Sequence, residues 1–306
     1  MLSYLEELTL RLAQAIADLP EEVRVRHAEY LKAAQRADGG FSGREGDSDL
    51  YYTAFGLRSL AMLGELYGPP AERAAAFLQP RLTGHESVID LLSVIYCAKL
   101  LELSAGIDVW TESASGWRDA VAATLEGLRR DDGGYAKTSQ GGAGSTYHSF
   151  LVLLCRQLID RPLPQPERLV AFILSRRQAA GGFGELRVSQ RAGTNPTAAA
   201  IGVLRMLNGL TPDVRADTIR FLAGMQTEEG GLRANTRIPI ADLLSTFTGV
   251  LTLLDLDGLS TIDSQAAMRY AESLERPSGG FQGAAWDQEV DVEYTFYGLG
   301  CLGLLR

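Results

Sequence analysis

Two kinds of apolar segment alternate along this chain. One is amphipathic. In ERLVAFILSRRQ, Leu169, Phe172 and Ile173 share one face of a helical period, and Arg168, Arg176 and Arg177 lie opposite. The other is apolar nearly all round, as in SFLVLLCRQL from Ser149, and a helix of that kind needs burial on more than one side. The same punctuation separates them five times: Gly-Gly followed by an aromatic residue or Leu, at Phe41, Tyr135, Phe183, Leu232 and Phe281. A Ser or Thr then opens the apolar run 12 to 14 residues later, at Thr53, Ser149, Thr197, Ser245 and Thr295. A sixth run, SVIYCAKLLEL, opens at Ser93 and aligns on TAFGLRSLAML at Thr53, but its preceding turn has no Gly-Gly. Glycine suits the end of the first helix because it accepts the left-handed conformation of a C-terminal cap.

The pattern predicts an all-α chain of six helix pairs in one domain over residues 1–306, with 1–26 as an N-terminal helix leading in. Six buried helices alternating with six half-exposed ones fit a closed ring of inner helices inside an outer shell. They fit an open solenoid equally well.

Composition removes several function classes. Hydrophobic residues make up 46% of the 306 positions, enough for a large core, and the net charge of −9 leaves no basic stripe for a nucleic acid. No run reaches the length of an integral membrane segment, and MLSYLEELTLRLAQAIADLPEE interleaves acids with its apolar positions, unlike a signal peptide. Cys97, Cys155 and Cys301 have neither disulfide nor metal spacing and read as buried filler. A cytoplasmic protein is expected.

The turn Gln-x-x-x-Gly-Gly-Phe with Asp-x-x-Tyr-Thr on the next helix, seen in QRADGGFSGREGDSDLYYTAFGL and again from Gly279 to Thr295, resembles the repeat of protein prenyltransferase β-subunits. In length the chain is most similar to the geranylgeranyl-transferring type, and the squalene-hopene (terpenoid) cyclases have a related repeat. The resemblance runs over residues 27–306. It implies an α–α (α6/α6) barrel, or toroid, whose apolar cavity holds an isoprenoid, with the chemistry near the N-termini of the inner helices. Converging helix N-termini favour a diphosphate there. A homo-oligomer or a helical partner subunit is compatible with the family, whose protein prenyltransferases work with a separate α-subunit.

The family's zinc ligands, Asp-x-Cys before the fifth inner helix and His before the sixth, fall on Ala241, Leu243 and Tyr294, with Asp242 one residue off. Leu cannot ligate a metal, so no zinc and no resident cofactor are expected, and magnesium enters only as the companion of a diphosphate. The family's diphosphate-binding positions fall on Asn235, Ile238 and Leu244, none charged. Arg233 and Arg237, with Arg187 and Arg191 on the neighbouring loop, offer a substitute anion clamp.

The cyclases' acidic motif, Asp-x-Asp-Asp-Thr-Ala, has counterparts in Asp291-Val-Glu293-Tyr294-Thr295 and Asp49-Leu-Tyr51-Tyr52-Thr53. Glu293 takes the place of the proton donor, while Asp49 and Asp291 are also good helix N-caps. Those cyclases further imply a second barrel domain. His148 is the histidine placed to act as a base or bind an anion at the rim, whereas His27 and His85 have no comparable setting. Tyr51, Tyr52, Tyr147, Tyr294 and Trp286 are candidates to line an aromatic cavity.

The expected function is an isoprenoid-binding enzyme without the family zinc site, with a non-catalytic binding scaffold as the rival. A carbohydrate-active barrel using Asp47, Asp287 or Glu293 ranks below both.

Overall fold

A computed structural model describes residues 2–82, 87–110, 116–189 and 191–306; His85 lies outside the described residues. After α1 (Tyr4–Ala17), outer and inner helices alternate. The outer ones are α2 (Glu21–Ala34), α4 (Gly68–Leu78), α6 (Trp117–Glu126), α8 (Pro166–Leu174), α10 (Pro212–Ala223) and α12 (Ser264–Ser273). The inner ones are α3 (Leu50–Met62), α5 (Val88–Ala105), α7 (Thr146–Leu158), α9 (Thr194–Met206), α11 (Leu243–Asp255) and α13 (Val292–Leu304). Each inner helix packs on the next, and α13 packs on α3, so the ring is closed and the solenoid alternative is removed.

The Gly-Gly turns hold the outer shell together. They lie several residues beyond the helix ends and not at the caps: α8 ends at Leu174 and its turn is Gly181-Gly182. Gly181 has φ +95, and a Cβ there would sit 2.5 Å from the Asp217 carbonyl oxygen of α10. A Cβ on Gly182 would enter the Phe221 ring of the same helix. Glycine is therefore needed for close approach to the next outer helix as much as for backbone conformation. The last turn, Gly279-Gly280, meets Arg26 and Tyr30 of α2, which closes the outer shell as well. His27, fully buried, seals that joint: its Nδ1 accepts from Gly280 N at 3.1 Å and its Nε2 lies 2.9 Å from Glu275. Arg176, expected on the polar face of α8, follows the helix end and is buried against Phe172.

The residue after each Gly-Gly is fully buried and donates its N–H to a hydroxyl on the inner helix. Phe41, Tyr135 and Phe183 donate to Thr53, Ser149 and Thr197, each at 2.9 Å. Phe281 donates to Thr295 at 3.3 Å. In the last repeat this return forms a short ladder, β1 (Phe281–Gln282) against β2 (Val290–Asp291). Leu232 donates to Thr246, not to Ser245, so the register read from the sequence is one residue early in this repeat.

The segment 1–26 is not a simple lead-in. α1 touches α3, α7 and α13, on different sides of the ring, and so plugs one end of it. That end carries the inner helices' C-termini: Tyr4 N donates to Gln157 near the end of α7, and Arg11 pairs with Asp255 at the end of α11 at 2.7 Å. The inner helices' N-terminal rim is left as the mouth, where Tyr147 is 39% exposed.

Candidate functional site

The inner ring encloses a cavity of about 390 Å³. One stripe of each inner helix faces it: Tyr51, Ala54, Phe55 and Arg58 on α3, and Tyr147, Phe150, Leu151 and Leu154 on α7. The same offsets on α9 give Asn195, Ala198, Ala199 and Gly202, whose small side chains leave much of the space. On α5 the stripe is Ile89, Leu92, Ser93 and Tyr96, so Leu91, not Ser93, stands where Thr53 stands on α3. The lost hydroxyl goes with the Gly-Gly missing from the sequence before α5.

By register Glu293 holds the rim position of α13, but it does not itself line the cavity and lies behind the lining residues Tyr51 and Tyr297. It accepts hydrogen bonds from Tyr51 Oη at 2.6 Å and Tyr297 Oη at 3.4 Å. Burial holds its carboxyl above the ordinary value, and the Tyr51 bond opposes this by stabilising the anion. Burial and the Glu293 charge in turn push the Tyr51 hydroxyl far up and raise that of Tyr147. Glu293, Tyr51 and Tyr147 are thus drawn together at the mouth.

The other candidates are placed elsewhere. Asp291 and Asp49 cap their helices, accepting from Tyr294 N at 2.9 Å and Tyr52 N at 2.7 Å. Asp291 also accepts from Arg44 Nε at 3.1 Å, and the same guanidinium holds Asp287, tying the first repeat to the last. Tyr52 and Tyr294 pack behind the rim against Gly43 and Gly283 and do not line the cavity. Trp286 is 70% exposed on its loop. His148 Nδ1 is hydrogen-bonded to the Ser145 hydroxyl, 2.9 Å away, while its Nε2 is buried without a partner and burial lowers its pKa. It stands edge-on behind Tyr147 and outside the cavity lining. Arg187, Arg191, Arg233 and Arg237 do not line the cavity either, and Arg233 donates to the Gly224 carbonyl. Cys97, Cys155 and Cys301 are free and buried, as filler should be.

Most of the lining escaped the sequence reading, Arg58, Asn195, Tyr297 and Asp255 among it. Arg58 could have been found as the lone charge in TAFGLRSLAML, seven residues after Tyr51 and so on its face.

A family model for the prenyltransferase alpha-alpha toroid domain matches residues 8–233 and 197–306. The chain belongs to this family. Among solved structures, the toroid is similar to Candida albicans protein geranylgeranyltransferase-I complexed with GGPP, at 17% identity and TM-score 0.75, covering 92% of this chain and 91% of that one. It is also similar to the type II terpene cyclase MstE from Scytonema in complex with geranylgeranyl dihydroxybenzoate, at 14% identity, TM-score 0.63 and 98% coverage of both chains. The GH76A alpha-1,6-mannanase from Salegentibacter shares the toroid too, at 12% identity and TM-score 0.63, covering 93% of this chain and 99% of that one, so architecture alone does not choose the chemistry.

With the fifth repeat in register on Thr246, the positions that the resemblance assigned to zinc become Asp242, Leu244 and Tyr294. The carried-over diphosphate positions become Thr236, Pro239 and Ser245, again uncharged. Asp242 is spent on capping α11, accepting from Ser245 N at 2.7 Å. Among the described residues no three His, Cys, Asp or Glu side chains gather to hold a metal.

Proposed function

We propose that the toroid holds an isoprenoid chain, a prenyl diphosphate or a related terpenoid, between its inner helices and acts on it by acid catalysis from Glu293 without zinc. The observation that carries this reading is an open apolar cavity whose lining residues Tyr51 and Tyr297 donate hydrogen bonds to a shielded carboxyl, Glu293, just behind them. Burial keeps Glu293 protonated at higher pH than a free carboxyl, and Tyr51 supports the anion left once the proton is delivered. Protonation of an isoprenoid alkene leaves a tertiary cation, which aromatic faces such as Phe247 and Tyr147 shelter. Attack by an internal alkene closes a ring, loss of a proton restores the electron pair, and the product is an isomer of the substrate. Leu244 and Tyr294 in the metal positions favour a second reading, an isoprenoid binder without turnover.

Native mass spectrometry and thermal shift with a panel of prenyl diphosphates and their alcohols, with and without zinc and magnesium, test the proposal. Binding that is indifferent to zinc and is lost in Ala198→Phe, which fills the cavity, is expected. Absence of binding by the whole panel would leave only a scaffold, and zinc-dependent binding would overturn the metal assignment. Bound isoprenoid that is never converted selects the second reading.

A further inference from the structure

One guanidinium stands inside the cavity without an anion. Arg58 lies on the cavity-facing stripe of α3, seven residues after Tyr51 and so about 10 Å below the rim. Its Cζ is 3.8 Å from the centroid of Phe296, 5.3 Å from that of Phe55 and 5.6 Å from that of Tyr96. Aromatic faces steady a cation without neutralising it. Arg58 makes no ion pair among the described residues, and its Nε is buried without a partner. Asp255, the carboxylate that lines the same cavity, is already engaged by Arg11 at 2.7 Å and by Arg205. Glu293 stands at the other end, at the rim. A shielded charge without a partner destabilises the empty protein, and it is satisfied once a ligand brings the opposite charge.

We propose that Arg58 is an anion subsite, and that the cavity takes an apolar chain bearing a carboxylate, with the carboxylate on Arg58 and the chain running up toward Glu293. That the chain is isoprenoid rests on the function proposed above; that it carries a carboxylate rests on Arg58. The guanidinium fork matches the two carboxylate oxygens and balances one charge. A diphosphate carries more charge and finds no second free cation among the lining residues. The seat also serves the chemistry. A bare guanidinium would oppose a carbocation formed beneath the rim, and a carboxylate bound to it removes that opposition.

Calorimetric titration of wild-type protein, Arg58→Met and Arg58→Lys tests this, with geranylgeranoic and farnesoic acids, their alcohols, their diphosphates and palmitic acid. Wild type is expected to bind an isoprenoid acid at least about tenfold more tightly than its alcohol. Arg58→Met should bind the two equally and melt at a higher temperature when empty, and Arg58→Lys should keep part of the preference. Equal binding of acid and alcohol by wild type, or a preference that survives in Arg58→Met, would overturn the subsite. So would a preference for the diphosphate that Arg58→Met abolishes. Isoprenoid alcohol bound without preference for the acid sinks the subsite and keeps the isoprenoid cavity. Palmitate preferred over every isoprenoid keeps the subsite and sinks the isoprenoid reading. If Arg58→Met does not fold, Arg58→Gln carries the same comparison.

Discussion

The outer turns and the inner cavity are built from the same repeat, yet they use it in opposite ways. On the turn side five of the six repeats agree: Gly-Gly, a buried side chain, and a hydroxyl that receives its N–H, as in Phe41 with Thr53 and Phe183 with Thr197. On the cavity side they differ at every helix. The rim position is Tyr51, Ile89, Tyr147, Asn195 and Leu244 in turn, with Glu293 at the matching register on α13 just behind the lining. Seven residues further on it is Arg58, Tyr96, Leu154, Gly202, Leu251 and Gly300. Positions that repeat carry the architecture, which every pair needs. Positions that do not repeat carry recognition, because one ligand meets six helices with six different parts of itself.

Substitutions on the turn side should therefore cost stability, and those on the cavity side should cost binding or turnover. The largest effect is expected for Gly181→Ala, which forces a Cβ against the Asp217 carbonyl at a positive φ. A loss of about 3 kcal/mol in urea unfolding is expected, and a loss below about 1 kcal/mol would show that the turn yields. Thr197→Val comes next. It keeps the shape of the side chain but leaves Phe183 N without its acceptor, at about 1–3 kcal/mol by the same measurement, with ligand binding retained. The smallest effect is a shift in pH dependence. Burial raises the Glu293 pKa, and the proposed reaction uses its protonated form. Turnover should persist above the ordinary carboxylate range and fall as pH rises through the shifted value. Tyr51→Phe removes a bond that favours the anion, so it should move that fall to higher pH. A profile that does not move would separate Tyr51 from the acid.

The same contrast explains what could be read from the sequence. Repeated features announce themselves, so the six pairs, the buried inner helices and the caps Asp49 and Asp291 were legible from pattern. The register of two repeats was not. Ser245 and Thr246 are adjacent hydroxyls, and only the hydrogen bond from Leu232 chooses between them. On α5, with its Gly-Gly turn gone, no local signal marks Leu91. The site was half legible. Glu293, Tyr51 and Tyr147 follow from their place at the helix starts, but Arg58 reads as a stray charge in an apolar run until α13 brings Phe296 against it. The four loop arginines are candidates because they lie near the positions that the resemblance gives to a diphosphate, and nearness in sequence does not fix the direction a loop side chain takes. Arg233 turns to the Gly224 carbonyl.

The central claim, acid catalysis by Glu293 on an isoprenoid in the cavity, is tested most directly by incubating the best-bound isoprenoid in deuterium oxide. Wild-type protein and Glu293→Gln are compared, and the products are analysed by mass spectrometry. Wild type should release an isomer carrying one deuterium, and Glu293→Gln should bind the isoprenoid but form product at least about 100-fold more slowly. Equal conversion by the two proteins, or product without deuterium, would contradict the account.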